Sequence, residues 1–75
     1  MQNERQKLVR GLAESALDVA RYTREGSELE GLFVGCLAAE IEAALGVGPE
    51  VALEAGYHLA ETARRAHGAW VRGEM

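Results

Sequence analysis

From Leu8 to Ala20, apolar residues return every three or four positions: Leu8, Val9, Leu12, Ala13, Ala16, Leu17, Val19 and Ala20. Lys7, Arg10, Glu14, Asp18 and Arg21 occupy the positions between them. One apolar stripe on a 3.6-residue period, with charges opposite, predicts an amphipathic helix over about 3–24. Gly26 is its expected left-handed stop, and Arg21 and Arg24 suit the negative end of its dipole.

The next segment has a different pattern. Leu29, Leu32, Phe33, Val34, Cys36, Leu37, Ile41, Ala44 and Leu45 cover well over half of a helical circumference. A helix apolar most of the way round is expected at the centre of a fold. Ser27-Glu28-Leu29-Glu30 has the form of a capping box, so this helix is predicted over 28–45. Gly46 ends it, and Gly48-Pro49-Glu50 restarts the chain with proline in the first helical position. A third helix follows over about 49–72, with an expected buried stripe of Ala52, Ala55, Gly56, Leu59, Ala63, Ala66 and Trp70. The expected architecture is all-α: a single-domain up-down-up bundle of three helices joined by short glycine turns, with dimerisation as a further expectation. There is no internal repeat, low-complexity tract or linker.

Composition sharpens this picture in one respect. Of the 75 residues 48% are hydrophobic, which excludes a disordered tail, but aromatics make up only 5% and alanine dominates the rest. A core of alanine gains little transfer energy per residue, so close helix approach or burial against a partner must compensate. Two strips of small residues fit that need: Gly31, Gly35 and Ala39 on the second helix, and Ala52, Gly56 and Ala60 on the third. Each repeats every four residues. An interior glycine costs about 1 kcal/mol relative to alanine, so each strip implies either tight packing within the bundle or a seam for a second copy or partner helix.

The single cysteine, Cys36, fits a reducing compartment, and the polar start of the chain lacks the apolar segment of a signal peptide. A cytoplasmic protein is expected, with no membrane span. Net charge is −4, unevenly placed. Glu25, Glu28, Glu30, Glu40, Glu42, Glu50, Glu54 and Glu61 fall in a stretch without lysine or arginine, while every basic residue lies outside it. Helix dipoles and cross-helix pairing account for such segregation in an antiparallel bundle; the alternative is an acidic surface for a partner.

Candidate chemistry is sparse. Glu40 shares a face with Leu29, Phe33 and Cys36, where a carboxylate needs a partner. Glu54 and His58 stand four apart and are expected as an exposed pair rather than metal ligands. His67 borders the Ala63–Trp70 face. Phosphate-binding loops, nucleophile elbows and Cys-x-x-Cys are missing from the sequence, so neither an enzyme nor a cofactor is expected. The turn Ala43-Ala44-Leu45-Gly46-Val47-Gly48-Pro49-Glu50 resembles the closing segment of repressor-type helix-turn-helix domains and related antitoxins. The basic recognition helix of those proteins has no counterpart between Glu25 and Ala63.

Protein–protein interaction is the remaining class: a small acidic helical inhibitor, adaptor or subunit. In size and charge the chain is similar to phage-encoded inhibitors such as anti-CRISPR proteins. The expected partner is a protein with a basic surface, and a homodimer is expected as well. The candidate contact residues are Glu25, Glu28, Glu30, Gly31, Gly35, Ala39, Glu54 and Glu61. The alternative is a small DNA-binding regulator or antitoxin-like protein, using Arg64, Arg65 and Arg72 or the N-terminal basic residues Arg5, Lys7 and Arg10.

Overall fold

A computed structural model describes residues 3–73. It contains three helices, α1 (Glu4–Tyr22), α2 (Glu28–Leu45) and α3 (Pro49–Val71), and is 85% helical with every pair of helices in contact. There is no strand among the described residues. The expected three-helix, all-α class with short glycine turns is the one observed.

Local chemistry explains the boundaries. Asn3 caps α1, accepting from the Gln6 amide at 2.8 Å while its own amide donates to the Gln6 side chain at 3.1 Å. At the other end α1 stops earlier than expected. Thr23 turns extended, and both its amide and its hydroxyl donate to the Val19 carbonyl. Gly26, at φ 80°, shapes the turn that follows rather than ending the helix.

The Ser27 hydroxyl caps α2, accepting from the Glu30 amide at 3.1 Å. The expected box is only half made. Ser27's amide donates to the Arg24 carbonyl, and the Glu30 carboxylate accepts from the Gly26 amide at 3.0 Å instead. Ser27→Ala should lower stability by about 1 kcal/mol, measured by urea unfolding; an unchanged midpoint would show that this cap contributes nothing. Gly46 ends α2 in the left-handed region, at φ 68°, and Pro49 opens α3.

The chain direction turns by 118° between α2 and α3, so these helices cross obliquely rather than lying side by side. The crossing is tight because Gly56 has no side chain. A Cβ there would lie 3.2 Å from Val34 Cγ1 and 3.5 Å from the Val34 carbonyl oxygen. Ala52, Gly56, Ala60 and Ala63 form the buried side of α3, so its strip of small residues serves packing within the fold. α1 lies against α3 as well, but α1 and α2 are the least closely packed pair. The result is a slab, 36 × 35 × 15 Å in Cα extent.

The buried core is correspondingly modest. Ala16, Val19, Val34, Leu37, Ala38, Ile41, Ala52, Ala60 and Ala63 make it up, and Leu37 and Ile41 are its largest fully enclosed side chains. Several residues expected inside are outside. Leu8 and Val9 on α1, Leu29, Leu32, Cys36 and Leu45 on α2, and Leu59, Ala66 and Trp70 on α3 are exposed. For Ala66 and Trp70 the reason is length: Arg64 already pairs with the first turn of α2, so the residues beyond it run past the end of that helix. There Trp70 stacks on His67 with ring centroids 6.4 Å apart.

Candidate interaction face

The outward side of α2 is the most unusual surface of the molecule. Glu30, Val34, Leu37, Ala38 and Ile41 face the core. On the opposite side, Leu29, Leu32, Cys36, Ala39 and Ala43 are all exposed. Their spacing alternates three and four, the repeat by which one helix presents a seam to another. Leu32 is 69% exposed and Leu29 46%. Leucine contributes most when buried, so leaving two on one face while alanines fill the core reverses the usual economy of a small domain.

This face continues into a groove where α1 and α2 diverge. Two open depressions of about 350 Å³ each run along it. The first is walled by Leu29, Leu32, Phe33, Cys36 and Leu37, with Asp18 and Ser15 across from them on α1. The second is walled by Gly11, Ala43 and Ala44, with Leu8, Leu12 and Lys7. Glu40 borders both, and its carboxylate accepts from the Ser15 hydroxyl at 2.9 and 3.2 Å. The partner that Glu40 needs is therefore a serine on α1, and the pair bridges the groove between its halves.

The contact residues expected from the sequence scatter across the fold. Gly35 and Ala39 lie exposed on α2, and a Cβ at Gly35 would meet nothing within 4 Å. Their strip is thus not a packing seam within the fold, unlike that of α3. Gly31 is half-buried, and a Cβ there would stand 4.0 Å from the Tyr57 hydroxyl. Glu25 and Glu28 are exposed at the α1–α2 corner. Glu54 lies 3.9 Å from His58, and Glu61 lies 3.1 Å from Arg65, both pairs exposed on the outer side of α3. The acidic residues do not form one uninterrupted patch.

Glu30 requires a correction. Expected as a surface acid, it is 7% exposed and turned into the fold. Its carboxylate meets Arg64 Nη2 at 2.7 Å, and Arg64 also donates to the Thr23 carbonyl at 3.0 Å. One guanidinium thereby joins the end of α1, the start of α2 and the second half of α3. A carboxylate this enclosed needs such a partner, which removes it from any contact surface.

The sequence reading missed Leu29, Leu32, Cys36 and Ala43 as surface residues by assigning the first three to the core and leaving Ala43 unplaced. The signal was present as the alternating three–four spacing from Leu29 to Ala43, superimposed on a second stripe from Glu30 to Ile41. Among the described residues, no group of three or more histidine, cysteine, aspartate or glutamate side chains is placed to hold a metal ion. No single helix among them is long and apolar enough to cross a membrane. Comparison with protein-family models, curated proteins and solved structures gives no match to this chain.

Proposed function

We propose that this chain is a protein–protein interaction module that acts by binding, as a small inhibitor, adaptor or subunit, through the outer face of α2 and the adjoining groove. The observation that carries the reading is the exposure of Leu29 and Leu32 on a continuous apolar face, while the core is filled largely by alanine. Contiguous exposed apolar surface marks interaction sites in soluble proteins, and a helix offering three–four spaced positions suits a partner helix or helical groove. Net charge of −4 steers the face toward a basic partner during encounter. The free, exposed Cys36 is in keeping with a reducing compartment, and we place the protein in the cytoplasm.

DNA binding through Arg64, Arg65 and Arg72 gains no support from the side-chain arrangement. Arg64 is committed to Glu30 and Thr23, and Arg65 pairs with Glu61.

The test is affinity capture from the native host with tagged wild-type protein and with Leu32→Glu. The expected result is at least one host protein, other than the chain itself, retained by wild type and lost from the variant. Identical sets of retained proteins would refute this face as the binding surface.

A further inference from the structure

We infer that the groove between α1 and α2 takes an amphipathic helix of a partner protein, with an apolar residue in its leucine-walled half and a lysine or arginine beside Asp18 and Glu40. This rests on the interaction reading above and gives that partner its chemistry.

The shape of the groove follows from how the helices pack. α1 and α2 each lie closely against α3 but loosely against one another, so one side of the three-helix triangle is open. Along α2 the two depressions run from Leu29 to Ala44, which is about 22 Å or four helical turns. A fourth helix of ordinary length fits that span and closes the open side. The half walled by Leu29, Leu32 and Phe33, about 350 Å³ in volume, has room for a large apolar side chain. Gly11, Ala43 and Ala44 in the other half let a second backbone come close.

Charge decides which helix. The leucine-walled half is lined by two carboxylates, Asp18 and Glu40, and by no lysine, arginine or histidine among the described residues. Asp18 is half-buried and forms no hydrogen bond or ion pair with any described residue. Arg21, one turn further along α1, borders the next depression instead of pairing with it. Both oxygens of Glu40 share one donor, the Ser15 hydroxyl, which leaves its charge unbalanced. Ser15 and Asp18 are themselves one turn apart, so both carboxylates edge the same stretch of the groove and attract one incoming cation together.

A wholly apolar occupant would strip water from these carboxylates and return nothing, and an acidic one would add repulsion. A lysine or arginine replaces the lost water with charge-assisted hydrogen bonds, while its methylene stem covers apolar wall. Lys7, at the far end of the groove, sets the opposite preference there, so the partner's basic residues belong at the Asp18 end. The α2 helix of a second copy does not meet this requirement, because α2 has no lysine or arginine.

The probe is a display library of helical peptides about four to five turns long. Leucine is fixed at alternating three- and four-residue spacing, and the positions beside it vary among lysine, arginine, glutamate, glutamine and alanine. Peptides retained by the immobilised full chain should favour lysine or arginine over glutamate toward one end of the leucine stripe. Selection on Asp18→Lys should move that preference toward glutamate. For the tightest wild-type binder, fluorescence anisotropy should show binding abolished by Leu32→Glu and weakened about tenfold by Asp18→Asn combined with Glu40→Gln. The double variant should keep its helical signal, because Asp18 has no bond to lose and Glu40→Gln keeps an oxygen that accepts from Ser15. Retained peptides with no excess of basic residues overturn the inference, and so does an affinity that the double variant leaves unchanged. Failure to retain any peptide overturns it too, whether or not the chain pairs with itself. If a host protein lost from Leu32→Glu binds the double variant as tightly as wild type, the basic helix is refuted and the interaction reading stands. If basic peptides depend on Asp18 and Glu40 while host capture is indifferent to Leu32→Glu, the chemistry of the groove stands and the reading of the host partner fails.

Discussion

Arg64→Met is expected to bring the domain to the edge of unfolding. Glu30 and Arg64 meet at 2.7 Å with side chains 10% and 25% exposed. Removing one member of such a pair leaves the other charge enclosed, which costs about 3–5 kcal/mol in buried sites. Glu30 keeps its bond from the Gly26 amide, and Arg64 is partly in solvent, so the lower end, about 3 kcal/mol, applies. That approaches the whole stability of a domain this small, whose core supplies about 3–5 kcal/mol net. Urea unfolding followed by circular dichroism should show the loss directly. The attribution has a sharper check in Glu30→Met combined with Arg64→Met. Replacing both charges with apolar side chains of similar length removes the stranded carboxylate, and such replacements are commonly neutral. The double variant should recover most of the lost stability. If it is as unstable as Arg64→Met alone, the bonds from Arg64 to Thr23 hold the corner together and the ion pair is incidental.

That ion pair also marks where reading the sequence stopped succeeding. The limits of α2 and the start of α3 were legible because Ser27, Gly46 and Pro49 act within one turn of where they stand. Glu30 and Arg64 are 34 residues apart, and the local pattern marks Glu30 only as the last residue of a capping box, not as the partner of an arginine on α3. The face assignment of α2 failed for a related reason. Periodicity gives a helix its phase only when one side is polar, and α2 is apolar on both sides, so its pattern fits either orientation. The crossing of α3 decides between them, by placing Gly56 against Val34 and so turning the Val34 side inward. Once that contact is known, Leu32 and Ala39 must point out. The two strips of small residues looked alike in sequence for the same reason. Only the crossing separates Gly56, where a methyl group would press on Val34 Cγ1 at 3.2 Å, from Gly35, which stands in open space.

Leu37 and Leu32 lie on the same helix and are the same residue type, yet truncating each to alanine should act on different equilibria. Leu37 is 1% exposed and among the largest side chains in the core. Leu37→Ala should cost about 2–5 kcal/mol, because the cavity it leaves can collapse only partly against Val19, Val34 and Ile41. That loss is a property of the single chain, so it should be the same at every protein concentration. Leu32 is 69% exposed, and within one chain its truncation should change stability by no more than about 0.5 kcal/mol. A partner bound to the outer face of α2 in the folded form alone raises its apparent stability. Leu32→Ala should therefore melt with wild type when each is alone, and below it when the captured partner is present. Thermal unfolding with and without that partner reads both effects in one experiment. If Leu32→Ala alone loses as much as Leu37→Ala, the outer face of α2 is packed within the fold and offers nothing to a partner.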